Sequence, residues 1–359
     1  MIERRRLRAL DSQVRLAIVA LALSACAKPP EPPPPLPQPE PPSIDPVDFR
    51  EQLQTLDPPA PLPPRLYWSP SAPGEGTVVA LKLDPEPRGM PIFEVQARAS
   101  DREIVLVGLR GGSYFGLVAA PRATDEVPVQ ISITLVDGTR LSQRLSLRVT
   151  RRSFPSTRLR VASRYTAPDE AILRRVRKER EWVRAALAIR TETPLWRGAF
   201  IRPLDGLTTS VYGQRRMFNN EVRSQHTGLD IDGDTGDPVV ASNSGRVILS
   251  RDLFYSGQAV YVDHGLGFIT GYYHLSKREV SEGQWVDKGD VVGLVGATGR
   301  VTGSHLHWSV FVQGISLDPL SLGDVGLDEL DRHFFAPQTG LMPDAFDLTG
   351  QPPTTRNGR

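Results

Sequence analysis

Apolar side chains recur at every second position in one early stretch of the chain. Val129, Ile131, Ile133 and Leu135 alternate with Gln130, Ser132 and Thr134, and after Asp137-Gly138 the alternation resumes at Leu145, Leu147 and Val149. Period-two spacing buries one face of a strand, and Asp-Gly between two such runs favours a tight turn, so the pattern predicts a β-hairpin. Residues 77–83 and 103–109 read as further strands. Together, residues 65–156 predict a small antiparallel β-sandwich. Over residues 167–190 the period changes. Ile172, Val176, Val183 and Leu187 form a broken helical stripe, with Thr166 as the expected cap and Asp169 three residues on. Arg174, Arg175, Arg177, Lys178, Arg180 and Arg184 make this helix basic. A solvated linker face is preferred over contact with anionic lipid or glycan. From 198 to 322, short runs such as Val239-Val240, Val247-Ile248, Val260-Tyr-Val262, Val291-Val292 and Leu306–Trp308 are separated by glycines. Many short strands with glycine turns predict a compact all-β core. The expected fold is mainly β: an N-terminal sandwich (65–156), a basic helical linker (157–197), a glycine-rich all-β core (198–322) and an extended tail (323–359).

The ends of the chain change this picture. Arg4, Arg5, Arg6, Arg8 and Arg15 precede a short apolar run over residues 16–23. About 20 apolar residues are needed to span a bilayer, so residues 1–25 read as an export signal. The run closes Leu23-Ser24-Ala25-Cys26, which resembles the lipobox of bacterial lipoproteins. That resemblance implies lipidation of Cys26 and a membrane anchor. Ala27 after the cysteine implies the outer membrane, facing the periplasm. Cys26 is the only cysteine, so no internal disulfide can form. Residues 26–64 are proline-rich and read as a polyproline II tether, with a reach on the order of 100 Å.

The net charge is +2, too small to argue for a nucleic-acid partner. The candidate chemistry lies in the histidines. Four of the six sit in three pieces: His226-Thr-Gly-Leu-Asp230, Tyr273-His274-Leu275 and His305-Leu-His307. Residues two apart on a strand share a face, so His305 and His307 point the same way. Zinc favours imidazole nitrogen and carboxylate oxygen, and catalytic sites use three protein ligands and leave a fourth position for water. The pieces supply such a set with two spare imidazoles. His264, in Asp263-His-Gly265, reads as a structural turn histidine. Arg215, Asn219, Asn220 and Tyr272 are candidates for a substrate groove, and His333 is given no role.

Around these pieces the sequence resembles the lysostaphin/LytM family of zinc metallopeptidases. The resemblance runs through Thr209-Ser-Val-Tyr-Gly-Gln-Arg-Arg216, His226–Asp230, Gly236-Asp-Pro-Val239, Gly245-Arg-Val247 and Asp263-His-Gly265. It continues through Tyr272-Tyr-His-Leu275, Gly296-Ala-Thr-Gly299 and Gly303-Ser-His-Leu-His-Trp308. It covers residues from about 200 to 320. It implies a peptidoglycan endopeptidase with one Zn2+ held by His226, Asp230 and His307, and with zinc-bound water as nucleophile. His305 is implied as general base and His274 as oxyanion partner, with the reverse assignment left open. Ser304 before the paired histidines and Trp308 after them depart from the family pattern without removing a functional group. The alternative is a non-catalytic LytM-type activator of wall amidases. A third reading is a carrier-like module, since Val280 to Gly296 resembles the strand-turn rhythm of biotinyl and lipoyl carriers, but Lys288 sits in a Gly-spaced turn and not on a displayed hairpin.

Overall fold

The structure, a computed structural model, describes residues 62–86, 89–220 and 222–324. The expected signal peptide, Cys26, most of the tether and the tail with His333 lie outside the described residues. Among those described, no helix is long and apolar enough to cross a membrane.

The fold is mainly β. The first strands are β1 (Arg65–Ser69), β2 (Thr77–Asp84), β3 (Ile92–Ala99), β4 (Arg102–Ile104), β5 (Leu106–Gly108), β6 (Tyr114–Ala120), β7 (Glu126–Leu135) and β8 (Arg140–Arg148). They form two four-stranded antiparallel sheets, β1-β2-β6-β5 and β4-β3-β7-β8. The hairpin expected around Asp137-Gly138 is β7–β8, with Val129 opposite Leu145 and Ile131 opposite Gln143. Its inward residues Val127, Val129, Ile131, Ile133, Leu135 and Leu147 pack on Val79, Leu81, Val118 and Ala120 of the other sheet. The single strand expected over 103–109 is two strands. β4 pairs with β3 and β5 pairs with β6, so the chain crosses between sheets at Val105.

After β9 (Ser156–Leu159) comes helix α1 (Glu170–Leu187). Its start corrects the expected cap. Asp169, not Thr166, is the N-cap, its carboxylate accepting from Ile172 N at 2.8 Å. Thr166 instead closes a 3-10 turn over Ser163–Tyr165. The helix places Ala186, Trp182, Val183 and Leu187 against Leu249, Tyr261, Ile269 and Phe311. The basic face is partly paired. Arg175 meets Glu179 and Asp252, and Arg177 meets Glu170.

The remaining strands are β10 (Thr208–Ser210), β11 (Arg215–Phe218), β12 (Val222–Gln225), β13 (Leu229–Asp232), β14 (Pro238–Val240), β15 (Gly245–Leu253), β16 (Gly257–Asp263) and β17 (Phe268–Leu275). They are followed by β18 (Lys277–Arg278), β19 (Trp285–Val286), β20 (Val291–Leu294), β21 (His305–Val312) and β22 (Ile315–Leu317). The principal sheet runs β10-β13-β21-β17-β16-β15-β19, with β22 on β21. Two three-stranded sheets flank it, β12-β11-β9 and β14-β20-β18.

The hydrophobic core crosses from the sandwich into this second region. Strand β2 is buried on both faces from Thr77 to Leu83. Val79 and Leu81 face β7. Val78, Ala80, Phe115, Leu117 and Ala119 join one cluster with Trp196, Phe268, Val310, Val312 and Leu317. Polar contacts follow the same seam. Gln313 Nε2 donates to Leu117 O at 2.6 Å, Asp318 N to Gly76 O at 2.8 Å, and Arg152 meets Asp318 at 2.9 Å.

Candidate active site

The site is built on the centre of the principal sheet. In β21, His307 lies between two neighbours, opposite Asp230 of β13 and opposite Tyr273 of β17. Directly opposite residues share a face, so the pairing alone brings Asp230 to His307. His305 lies opposite Asp232 on that face. His226 precedes β13 and reaches the same point across a tight turn. Gly228 permits this, because a Cβ there would stand 2.3 Å from Trp308 O and 2.6 Å from His307 Nε2. The Tyr273 ring stacks on the His307 ring at 5.1 Å.

His274 arrives by a different device. Between β16 and β17 the register shifts, so that Gln258 faces Leu275 while Val260 faces Tyr272. The one extra residue forms a bulge in β17, and His274 sits in it at φ 64°. Bulges re-aim a side chain beside a site, and a non-glycine residue at positive φ is a strained position that the surroundings must hold. Here the amide of His274 donates to Ser256 O at 2.8 Å, which pins the bulge.

Hydrogen bonds set the proton on each ring. A carbonyl only accepts, so a ring nitrogen that faces one carries the hydrogen. His226 Nδ1 donates to Val211 O at 2.8 Å, His274 Nδ1 to Thr298 O at 2.9 Å and His305 Nδ1 to Gly303 O at 2.9 Å. Ser309 Oγ donates to Thr227 O at 3.3 Å, so it accepts from His307 Nε2–H at 2.9 Å. These assignments leave His226 Nε2 and His307 Nδ1 as bare lone pairs beside Asp230 Oδ1. All three separations among those atoms are 2.8 Å. Three acceptors in a buried triangle, with no proton between them, repel one another unless a cation sits among them. The chemistry and number of donors fit zinc.

The electrostatics point the same way. Burial pushes the Asp230 carboxyl up, but its contacts with His226 and His307 outweigh burial and hold it well below the usual carboxylate range. Burial lowers His307 to about 4. Burial, then the neighbouring His307 and His305, keep His274 well below the ordinary imidazole range. These rings are neutral at pH 7, the state required of a ligand or a proton acceptor. His274 and His305 both line the cleft. Their rings lie 5.0 Å apart, and His305 Nε2 is 3.8 Å from Asp230 Oδ1.

The expected groove residues fare less well. Tyr272 is fully buried, its hydroxyl accepting from Ser242 N and meeting Thr270 Oγ1 at 2.9 Å. Tyr272 is therefore a core residue and not a groove residue. Asn219 is also corrected. Its Oδ1 accepts from Val161 N at 3.0 Å and its Nδ2 donates to Val161 O at 2.9 Å, so it clips the linker to β11. Arg215 is exposed and lies outside the cleft of His274 and His305, and Asn220 is exposed at φ 62°. The residue that does line the cleft is Arg216, whose Nη2 contacts Asp230 Oδ2. Ser309 and Thr298 also hold site rings, and Arg300 lines the cleft. Only their places beside the two histidine motifs hinted at this. His264 donates from Nδ1 to Ser244 O and meets Thr270 Oγ1, each at 2.8 Å. Lys288 Nζ donates to Arg197 O and Ala199 O, which leaves it unsuited to display as a carrier lysine.

Residues 224–319 match Peptidase family M23, so the region carrying the site is an M23 peptidase domain of the LytM/lysostaphin family. Over 107 residues the chain is 45% identical to the peptidoglycan DD-endopeptidase ShyA of Vibrio cholerae, covering 30% of this chain and 25% of that protein. Over 115 residues it is 39% identical to the DD-carboxypeptidase/endopeptidase Mpg of Neisseria meningitidis, covering 32% of this chain and 26% of that protein. The chain thus spans about a quarter of the length of these curated relatives. A crystal structure from Pseudomonas aeruginosa, described as a peptidase M23 candidate, aligns at a TM-score of 0.53 and 28% identity. That alignment covers 71% of this chain and 95% of that one. It extends well beyond the segment matched by the family.

Proposed function

From an M23 domain with a buried triangle of acceptors, we propose that the chain is a zinc-dependent endopeptidase hydrolysing the peptide cross-links of bacterial peptidoglycan. The observation that carries this reading is the set of 2.8 Å separations among His226 Nε2, Asp230 Oδ1 and His307 Nδ1. An amidase activator that has lost its metal would have no need of that triangle. The relatives named as peptidoglycan DD-endopeptidases support the substrate class. The export signal and Cys26 support a lipid-anchored place in the envelope, at the outer membrane facing the periplasm. The sandwich and the helix are then a rigid support between anchor and enzyme.

His226, Asp230 and His307 would hold the zinc, with Val211 O and Ser309 fixing the two rings. Bound zinc supplies Lewis acidity and lowers the pKa of water toward 7. His305 keeps Nδ1 on Gly303 O, which leaves Nε2, 3.8 Å from Asp230 Oδ1, as the nitrogen available to water. It takes the proton from attacking water and returns it to the leaving amine. His274, held by the bulge with Nδ1 on Thr298 O, lines the same cleft, and in the reverse assignment it is the ring that takes the water proton. Tyr273 and the strand partners of His307 keep the ligand ring fixed and exclude water from the metal side.

Digestion of purified sacculi, followed by mass analysis of the released muropeptides, tests the reading. Chelation is expected to stop release and zinc to restore it. His307→Ala should lose bound zinc together with more than about 100-fold of activity, since even outer partners of a ligand cost 10–100-fold. His305→Ala should keep its zinc while losing about 10²–10⁴-fold. Full activity in zinc-free His307→Ala protein would overturn the proposal.

A further inference from the structure

The cleft holds one cation that the catalytic reading leaves without a role. Arg300 lines it together with His274, His305, Asp230 and Arg216. Its amide donates to Tyr255 O at 2.9 Å, which fixes the backbone ahead of the histidine pair. Its guanidinium carbon lies 4.3 Å from the centre of the Phe218 ring and 4.8 Å from that of Tyr255. Aromatic stacking engages the faces of a guanidinium and leaves its in-plane N–H donors unused. Arg216, the other guanidinium on this wall, is paired with Asp230. Among the described residues, Arg300 has neither an ion pair nor a side-chain hydrogen bond. Asp232, the other carboxylate of the cleft, is exposed and does not reach it.

Charge adds to this geometry. A bound dication together with Arg216 and Arg300 would outweigh the carboxylates of Asp230 and Asp232. The cleft, about 260 Å3, therefore keeps a positive excess beside the reacting position. A planar donor fork that lies over two rings, with no side-chain hydrogen bond among the described residues, matches a carboxylate in two-point contact.

We propose that Arg300 forms a carboxylate subsite that reads a free carboxylate on the residue flanking the scissile amide. The proposal rests on the endopeptidase reading and adds a requirement to it: the preferred peptide is anionic next to the bond that breaks. Phe218 and Tyr255 act as the walls that hold the fork edge-on to the cleft. Arg300 contacts substrate in this scheme and leaves the proton transfers to the histidines.

The experiment uses the zinc-loaded full chain and two synthetic cross-linked peptides that differ only in a carboxylate or a carboxamide beside the scissile bond. Charge-assisted hydrogen bonds of about 1.5–3 kcal/mol correspond to a preference of about 10–100-fold in kcat/KM for the carboxylate. Arg300→Gln should collapse that ratio toward one, mainly through KM, and Arg300→Lys should retain part of it. Zinc content and melting temperature of both variants separate loss of the subsite from loss of the fold. If Arg300→Gln is poorly folded, the ratio in Arg300→Lys decides alone. Equal cleavage of the two peptides by the wild type, or an unchanged ratio in a folded variant, overturns the inference and leaves the hydrolase reading intact. If neither peptide is cut, the hydrolase reading fails on these substrates, and calorimetric binding decides the subsite. Tighter binding of the carboxylate that is lost in the variant supports it; equal or absent binding overturns it.

Discussion

Histidines in one sheet do different work because the backbone claims different nitrogens. At His226, His274 and His305 a carbonyl takes the Nδ1 hydrogen and Nε2 is left bare; at His307 a serine takes Nε2 and leaves Nδ1 bare. His264 has both nitrogens engaged and no lone pair facing the cleft. Burial lowers it to about 4, so the folded protein keeps it neutral where an unfolded chain would protonate it near 6.5. Between those values the unfolded state binds more protons, so stability falls as pH drops from about 6.5 toward 4. The loss is up to about 3 kcal/mol at this residue. His264→Gln should show a shallower fall of melting temperature over that window, and an unchanged slope would remove His264 from the account. The pair His305 and His307 was legible at this scale, because spacing of two on a strand shares a face; the fuller set followed from the resemblance to a known family, since His226 reaches the site across a turn that spacing alone does not show. Arg216, Arg300 and Ser309 were not. A polar residue in a loop or strand looks the same whether or not a partner 14 or 82 residues away meets it.

Elements explain what those residues cannot. Strand β9 leaves the sandwich and pairs in parallel with β11, Ser156 opposite Arg215 and Leu159 opposite Phe218. The same strand β11 then carries Arg216 and Phe218 into the cleft. Asn219 holds the end of this pairing at φ 50°, a conformation that asparagine tolerates better than most residues. Asn219→Gly keeps the backbone freedom and removes the side-chain clip to Val161. Hydrogen exchange at the Val161 amide should then accelerate by about 10-fold, matching the loss of roughly 1 kcal/mol in one hydrogen bond. Exchange at the wild-type rate would show that the pairing with β11 holds the linker without the clip. The hairpin β7–β8 was readable because one face is wet and the pattern alternates. The split of β4 from β5 and the bulge at His274 were not. Both depend on which neighbour a strand meets, and neighbours distant in sequence leave no local period.

At the scale of the molecule, the seam between sandwich and peptidase region is a core and not a hinge. The sequence shows why this was hard to see. Val78-Val79-Ala80-Leu81 is an unbroken apolar run, a pattern that suits a strand buried on both faces, yet it does not say what covers the second face. The structure supplies the cover in Trp196, Phe268, Val310 and Leu317. Phe115 is 1% exposed within that shared cluster, on the sandwich side of the seam. Truncating such a residue costs about 3–5 kcal/mol through lost burial and the cavity left behind. If the two regions share one core, the penalty must reach both. The described body should therefore unfold in one cooperative transition, and Phe115→Ala should shift zinc release from the peptidase region and loss of the β7–β8 hairpin to the same lower temperature. Calorimetry with a zinc-release dye, alongside hydrogen exchange of β7, follows the two events separately. Two resolved transitions, with only the β7 signal moved by Phe115→Ala, would mean that the regions fold independently and that the seam contributes little to holding the catalytic sheet in place.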